Sequence, residues 1–385
     1  RSCGGARACM MSDIEPIVMP KWGLAMEEGA LTSWLIESGA EIEKGQEIAE
    51  IETSKLANVF ESPTSGTVRR LVAQEGAVLP VGALLAVLAP SSVSDADIDS
   101  FVAGFVVEGP ADDAAAGAPV ERKLERDGRT LVFKAAGLQN SATPVVLIHG
   151  FGGDSDNWLF NIDDLAKSRP VYAIDLPGHG KSSKTLATGD LAELAQGVVD
   201  LIDETGASNV HLVGHSLGGS VAFQILRDHP ERVASVAGIA PVGFGEKVNA
   251  DFVEGFIAAQ KRKDVKSALQ LLLSDPDLVS SQMIEGVLRF KRIEGAKEAL
   301  RAIADKNLPS GRQAASFRDL VQENRVPVMI LWGARDAILN PAAAEGLPAS
   351  VEVVRLENAG HMPHLEAASA VNSKLAGFFE AADRR

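Results

Sequence analysis

Two hydrophobic patterns follow each other along the chain. From residue 14 to residue 89, short apolar runs of β type alternate with Gly and Pro and show no helical period, which is typical of a small all-β domain. From about residue 130, apolar strands alternate with amphipathic helical segments, which predicts a mainly parallel sheet with helices on both faces. The predicted strands are residues 145–148, 171–174, 210–213, 236–239, 328–331 and 351–356. The pattern therefore predicts a multidomain fold.

The first pattern contains an internal repeat. Residues 39–51 align with residues 76–88 so that glycines meet glycines and apolar residues meet apolar residues. The aligned pairs are Gly39 with Gly76, Gly45 with Gly82, Ile42 with Leu79, Ile48 with Leu85 and Ile51 with Leu88. Because each half buries one apolar face against its copy, the repeat predicts a quasi-two-fold β-sandwich.

The stretch between the two patterns combines a helix with a linker. Ser94 and Asp97 have the spacing of a helix N-cap and its partner, and apolar residues follow at positions 98, 101, 102, 105 and 106. Such a short helix packs on its own neighbour or docks on a partner enzyme, and we favour the first because short helices are marginal without a surface to cover. Residues 108–121 are rich in Ala, Gly, Pro and Asp and are typical of a flexible linker, whose root-mean-square span is roughly 20 Å.

These patterns predict the domain divisions. We expect a disordered or non-native leader over residues 1–12, an all-β domain over 13–90, the short helix and linker over 91–128, and the α/β domain over 129–385. Residues 244–322 are helical in period and stand between two core strands, so they are expected to form a cap over the site of the second domain.

Composition excludes several classes of function. The net charge of −15 and the pI near 5.0 argue against nucleic acid and against an anionic membrane surface as partners. No apolar run reaches the 18 or so residues that cross a bilayer, and the two cysteines, Cys3 and Cys9, exclude a disulfide framework. Five of the seven histidines show no metal-ligand spacing, so no metal is predicted. They are assigned to packing or to support of the site: His179, His211, His215, His229 and His364.

The second domain carries a candidate nucleophile. The predicted strand 210–213 runs into Gly-His-Ser-Leu-Gly at 214–218, and a helical run follows. A glycine-rich turn between strand and helix lifts a serine hydroxyl clear of the backbone, which singles out Ser216. By itself, the pentapeptide fits an ordinary β-to-α turn about as well as a catalytic one.

Three further segments supply what a serine nucleophile needs. Asp336 and His361 each follow a predicted strand, and they provide a carboxylate to orient an imidazole and an imidazole to take the serine proton. The segment His-Gly-Phe-Gly-Gly at 149–153 presents the amide of Phe151 to an oxyanion, and the amide of Leu217 is the second donor.

The order Ser216, Asp336, His361 closely resembles that of the α/β-hydrolase family, and the resemblance covers about 255 residues. The phrase Asp-Leu-Pro-Gly-His-Gly-Lys-Ser at 175–182 is also similar to a phrase of that family.

The first domain resembles the lipoyl domains of 2-oxo acid and acetoin dehydrogenase complexes over about 76 residues. The matching segments are Met19-Pro20, Met26-Glu-Glu-Gly29, Lys44-Gly45, Glu52-Thr-Ser-Lys55 and Ser62-Pro63 with Gly66. The resemblance implies that Lys55 carries lipoate through an amide bond. A biotin carrier is the nearest rival, but methionines would normally flank its lysine, and none flank Lys55.

Together the two domains resemble the acyltransferase component of acetoin dehydrogenase complexes. The resemblance implies transfer of an acetyl group from dihydrolipoyl-Lys55 to coenzyme A through Ser216. It also implies a thiamine-diphosphate-dependent acetoin dehydrogenase component and a dihydrolipoamide dehydrogenase as partners, homo-oligomers within a complex, and a cytoplasmic location. Two alternatives stay open: hydrolysis of an ester or thioester, and a non-catalytic lipoyl scaffold.

Overall fold

The structure, a computed structural model, describes residues 14–20, 28–52, 57–105, 119–323 and 326–385. The chain divides into two compact units at residues 113 and 114. Each unit has its own hydrophobic core.

The first unit is a sandwich of two four-stranded sheets. Its strands are β1 (Glu15–Val18), β2 (Glu28–Trp34), β3 (Glu41–Ile42), β4 (Glu47–Glu52), β5 (Ala57–Glu61), β6 (Gly66–Leu71), β7 (Val78–Pro80) and β8 (Leu84–Leu88). One sheet has the order β1-β8-β6-β3 and the other β5-β4-β2-β7, so each strand of one sheet has a counterpart at the same place in the other. The predicted quasi-two-fold β-sandwich is confirmed.

The internal repeat is visible in the backbone. All four aligned glycines adopt positive φ, namely 96° at Gly39, 81° at Gly76, 86° at Gly45 and 83° at Gly82. Residues with a side chain resist this conformation, so the repeated glycines make equivalent turns in the two halves. Ile48 and Leu85 are fully buried in the shared core.

Helix α1 (Asp95–Gly104) packs on the first unit. The side chain of Ser94 accepts a hydrogen bond from the amide of Asp97, which confirms the predicted N-cap. Ile98 is buried in a cluster with Ile14 and Val87. The first of the two predicted placements is therefore confirmed. The predicted linker lies largely outside the described residues.

The second unit is built on an eight-stranded sheet of order β16-β15-β14-β13-β11-β12-β10-β9. Its strands are β9 (Val120–Arg126), β10 (Arg129–Ala136), β11 (Val145–Ile148), β12 (Val171–Asp175), β13 (Val210–His215), β14 (Val233–Ile239), β15 (Val328–Gly333) and β16 (Val351–Leu356). β11 to β16 pair in parallel and β9 and β10 are antiparallel. The six predicted strands and the mainly parallel sheet are confirmed.

The second unit begins earlier in the chain than predicted. β9 pairs with β10, with Leu124 opposite Leu131, so the sheet starts before residue 129, where the sequence analysis placed the domain boundary. In β9 only Leu124 is buried and most other residues are charged. An edge strand of this kind lacks the apolar run that marks the buried strands of a parallel sheet, which explains the error.

Helices cover both faces of this sheet. The helices described in the second unit are α2 (Ile162–Leu165), α3 (Leu191–Thr205), α4 (Leu217–Asp228), α5 (Ala250–Ala258), α6 (Arg262–Gln270), α7 (Ser281–Lys291), α8 (Ala296–Asn307), α9 (Arg318–Glu323), α10 (Pro363–Glu366) and α11 (Ala368–Asp383). Val146 and Ile148 of β11 join the core cluster on one face, and Val145 and Leu147 join the cluster on the other. Helices α5 to α9 stand between β14 and β15, in the segment predicted as the cap.

Candidate active site

Ser216 occupies a strained turn between β13 and α4. Its backbone has φ 53° and ψ −115°, which a residue with a side chain rarely adopts. A Cβ at Gly214 would lie 2.2 Å from the carbonyl oxygen of Gly218, and a Cβ at Gly218 would lie 2.3 Å from that of Ile148. Both glycines are therefore required by space, and the strand–turn–helix context expected of the Gly-His-Ser-Leu-Gly motif is present.

His361 and Asp336 form a buried pair on neighbouring loops. Asp336 follows β15 and His361 follows β16, and these two strands are adjacent and parallel. The Nδ1 atom of His361 lies 2.8 Å from the Oδ2 atom of Asp336, and His361 is 1% exposed. An ionised carboxylate only accepts hydrogen bonds, so Nδ1 carries the proton and Nε2 is the atom left to act as a base.

Three further donors hold the carboxylate of Asp336 in place. Trp332 Nε1 donates to the same oxygen as His361, at 2.9 Å, and the amides of Ile338 and Leu339 donate to the other oxygen at 2.8 and 3.0 Å. Burial raises the pKa of Asp336, but the imidazole of His361 and the two backbone amides outweigh burial and hold the pKa below its ordinary value of 3.8. The group is therefore an anion at neutral pH.

His215, the residue before Ser216, holds the backbone of His361 close to the serine turn. The rings of His215 and His361 are 4.8 Å apart, and Nε2 of His215 donates to the backbone oxygen of His361 at 2.8 Å. Within the described residues the hydroxyl of Ser216 makes no hydrogen bond with a protein group, and catalytic hydrogen bonds are often long or poorly aligned in the absence of substrate.

The oxyanion loop lies directly beside Ser216. A Cβ at Gly150 would sit 3.1 Å from the Cβ of Ser216. Within the described residues the amides of Phe151 and Leu217 donate to no protein acceptor, so both remain available to a developing oxyanion. The structure thus brings the predicted oxyanion donors, Ser216, Asp336 and His361 to one end of the parallel strands.

His149 stiffens the oxyanion loop. Its Nδ1 donates to the carbonyl oxygen of Gly150 at 2.8 Å, and its Nε2 accepts from the amide of Leu176 at 3.0 Å. Burial lowers the pKa of His149, which agrees with a neutral ring that donates at one nitrogen and accepts at the other.

Two histidines assigned to packing or support turn out to lie behind the catalytic pair. His364 is fully buried between Trp158, at 4.6 Å between ring centroids, and His215, at 4.5 Å. Burial and then nearby histidines lower the pKa of both residues, to about 3 for His364 and well below 6.5 for His215. Both rings are neutral, so they add no positive charge beside His361.

The cap holds the loop of His361 from the other side. The amide of His361 donates to the carbonyl oxygen of Leu272 at 2.8 Å. The carboxylate of Glu366 accepts from the amides of Gly360 at 2.9 Å and of Ser274 at 2.6 Å. No sequence motif marks these residues, because their role depends on contacts between segments far apart in the chain.

Lys55, predicted to carry lipoate, lies outside the described residues. The strands on either side of its segment, β4 and β5, pair antiparallel with Glu52 opposite Ala57. Residues 53–56 therefore join two strand ends of the sandwich.

The fold and the site of the second unit are those of an enzyme of the serine α/β-hydrolase class, and the first unit is a domain of the biotin and lipoyl type. The family described as alpha/beta hydrolase fold matches residues 143–368, and the family described as biotin-requiring enzyme matches residues 15–88. A crystal structure of a meta-cleavage product hydrolase variant is similar with a TM-score of 0.61 at 19% identity, covering 68% of this chain and 98% of that one. That likeness supports the fold alone.

Relatives that match nearly the whole chain show the family to which it belongs. The chain is 47% identical over 364 residues to the dihydrolipoyllysine-residue acetyltransferase component of the acetoin cleaving system of Cupriavidus necator, covering 94% of this chain and 96% of the relative. It is 44% identical over 372 residues to the component of the same name from Pseudomonas putida, covering 96% and 99%. The chain belongs to this family of acetyltransferase components and is an enzyme.

In the part of the chain that the structure describes, none of the helices has the length and apolar character needed to cross a bilayer. The same residues contain no group of three or more His, Cys, Asp or Glu side chains arranged to hold a metal ion.

Proposed function

We propose that this acyltransferase moves an acetyl group from a dihydrolipoyl arm on Lys55 to the thiol of coenzyme A, with Ser216 as the intermediate acceptor. The observation that carries the proposal is the buried His361–Asp336 pair at 2.8 Å beside the strained Ser216 turn, in a chain that also contains a lipoyl-type sandwich. A serine site suits acyl transfer, and a carrier domain supplies the acyl group in tethered form.

In the first half-reaction, the Nε2 atom of His361 takes the proton of the Ser216 hydroxyl as the oxygen attacks the thioester carbonyl. The amides of Phe151 and Leu217 hold the oxyanion. The carbon–sulfur bond breaks, the imidazolium returns its proton to the sulfur, and Ser216 keeps the acetyl group as an ester. When attached, lipoate supplies the dithiol from which this acetyl group comes.

In the second half-reaction, His361 takes the proton of the coenzyme A thiol. The sulfur attacks the acetyl ester, and the proton passes to the departing oxygen of Ser216. Asp336 stabilises the imidazolium in both halves and stays ionised, in agreement with its lowered pKa. Acetyl-coenzyme A leaves and the serine hydroxyl is restored.

The division of labour between the two parts of the chain belongs to the same proposal. We assign residues 13–90 to the carrier domain. Catalysis is assigned to residues 129–385 together with the preceding strand β9, and the cap at about 244–322 is assigned to the walls of the site. A linker of the composition predicted from the sequence would hold the carrier near the site at an effective concentration on the order of millimolar. The proposed partners are a thiamine-diphosphate-dependent acetoin dehydrogenase component and a dihydrolipoamide dehydrogenase, within a complex built on homo-oligomers. Both acyl carriers act as free thiols in turn, so we propose a reducing, cytoplasmic location for the reaction.

Turnover of acetyl-dihydrolipoamide with and without coenzyme A tests the proposal in wild type, Ser216→Ala and Ser373→Ala. Ser373 is an exposed residue of α11 and serves as the matched serine control. We expect acetyl-coenzyme A from wild type and Ser373→Ala, and a loss of at least about 10³-fold in Ser216→Ala. Acetate release that does not depend on coenzyme A would favour hydrolysis, and an unchanged rate in Ser216→Ala would favour the scaffold. Intact mass of the native protein tests lipoate on Lys55.

A further inference from the structure

A small basic cavity lies in the cap. It has a volume of about 190 Å³ and is formed where α5, α7 and α8 meet. Its lining residues are Ile257, Ala259, Gln260, Leu288, Lys291, Arg292 and Lys297. Three of the lining side chains are cationic and none is a carboxylate, so the cavity suits an anion.

The positive charge of this region contrasts with the rest of the chain. Residues 257–297 contain eight Lys and Arg residues and five Asp and Glu residues, whereas the whole chain has a net charge of −15. Arg292 and Lys297 are exposed and, among the described residues, neither forms an ion pair. Unpaired cations around one cavity repel each other, and a bound anion would relieve that repulsion.

The N-terminus of α8 adds donors at the same place. Gly295 is its N-cap and provides no side-chain acceptor, and within the described residues the amides of Lys297 and Glu298 donate to no protein group. Lys297 stands in the first turn of the helix, where the helix dipole disfavours a cation. An anion in the cavity would pair with both the side chain of Lys297 and the free amides.

The cavity is connected to the oxyanion loop through Phe256 and Lys291. The amine of Lys291 donates to the carbonyl oxygen of Phe256 and, at 3.1 and 2.9 Å, to those of Ile257 and Ala259. The ring of Phe256 lies 6.1 Å from that of Phe151, whose amide is a proposed oxyanion donor. An anion held in the cavity is therefore one layer of side chains away from the catalytic loop.

We propose that this cavity binds a phosphate group of coenzyme A, with Arg292 and Lys297 as its ligands and Lys291 fixing its floor. This inference rests on the proposed function, in which coenzyme A accepts the acetyl group. Coenzyme A carries its phosphates at the far end of a long pantetheine arm, so a phosphate site within the cap leaves its thiol free to reach Ser216. The local positive charge also offsets the repulsion of a polyanionic substrate by an acidic protein.

Steady-state transfer from acetyl-dihydrolipoamide to coenzyme A or to pantetheine, which lacks phosphates, tests the site in the full-length chain. The test variant is Arg292→Ala with Lys297→Ala, and the control is Lys306→Ala, an exposed residue of the same helix outside the cavity. We expect the double variant to raise the KM for coenzyme A roughly tenfold, with kcat unchanged and the KM for pantetheine within about twofold of wild type. Lys306→Ala should match wild type with both acceptors.

A double variant whose KM for coenzyme A equals that of Lys306→Ala would overturn the inference. Calorimetric titration of coenzyme A into Ser216→Ala, with and without the two cavity substitutions, measures binding without turnover. Binding that weakens about tenfold with the cavity substitutions supports the site even where transfer fails, and binding that stays equal overturns it. Failure of transfer in wild type with both acceptors would instead refute the proposed function, so the two failures are distinguishable.

Discussion

Replacing Asp336 by Asn separates the electronic role of this residue from its structural one. In the native protein one carboxylate oxygen accepts from Ile338 and Leu339 and the other accepts from His361 and Trp332. Asparagine has one acceptor oxygen. If that oxygen keeps the two backbone amides, the NH₂ group faces the two side-chain donors.

The two donors respond differently to the NH₂ group. His361 can move its proton to Nε2, so that Nδ1 accepts from the amide, but the indole of Trp332 is a donor only and is left unpaired. An unpaired buried donor costs about 1–3 kcal/mol of folding stability. A histidine with its proton on Nε2 has lost the base that Ser216 needs, and this wrong tautomer lowers triad catalysis by about 10⁴-fold, or about 5 kcal/mol in the barrier.

The expected result for Asp336→Asn is therefore a folded protein with almost no acyl transfer. Activity is measured as acetyl-coenzyme A formed from acetyl-dihydrolipoamide, and stability as the midpoint of urea denaturation. Asp228→Asn, which alters an exposed carboxylate at the end of α4, is the control and should retain full activity. Retention of more than a tenth of wild-type activity by Asp336→Asn would refute the assignment of tautomers and with it the role given to the pair.

Three other predictions follow from contacts around the site. Gly218→Ala places a Cβ 2.3 Å from a backbone oxygen and should abolish activity and lower stability by about 3 kcal/mol or more. A Cβ at Gly255 meets nothing within 4 Å, so Gly255→Ala should stabilise its helix by about 0.5–1 kcal/mol. Thermal denaturation and activity assays compare the two variants. His215→Phe keeps an aromatic ring at this position but removes the donor to the carbonyl oxygen of His361, so we expect kcat to fall about 10- to 100-fold with little change in circular dichroism. An unchanged kcat would mean that this hydrogen bond does not position His361. Burial and then two neighbouring aspartates raise the pKa of Asp154 from 3.8 to about 7, so its contribution to stability is present at low pH and is lost as pH rises from about 4 through about 7. In urea titrations, Asp154→Asn should gain on the order of 4 kcal/mol over wild type at pH 8 relative to pH 4, and equal pH profiles would contradict this.

The sequence is sufficient to predict much of the architecture, because that architecture rests on local patterns. Alternation of apolar strands and amphipathic helices is sufficient to predict a covered parallel sheet, and the repeat of residues 39–51 in residues 76–88 is sufficient to predict a two-fold sandwich. Ser216 could be identified because its strained backbone demands glycines at fixed neighbouring positions. The start of the second unit was missed, since β9 is a charged edge strand with one buried residue.

What local patterns could not supply is contact between distant segments. Nothing near His215 or Leu272 in the chain shows that one donates to the backbone of His361 and that the other accepts from its amide. The neutral state of His364 depends on burial between Trp158 and His215, and the basic cavity of the cap forms only where three helices meet. Propensity and periodicity act over a few residues, whereas desolvation, hydrogen-bond partners and clustered charge are set by chain segments that the fold alone brings together.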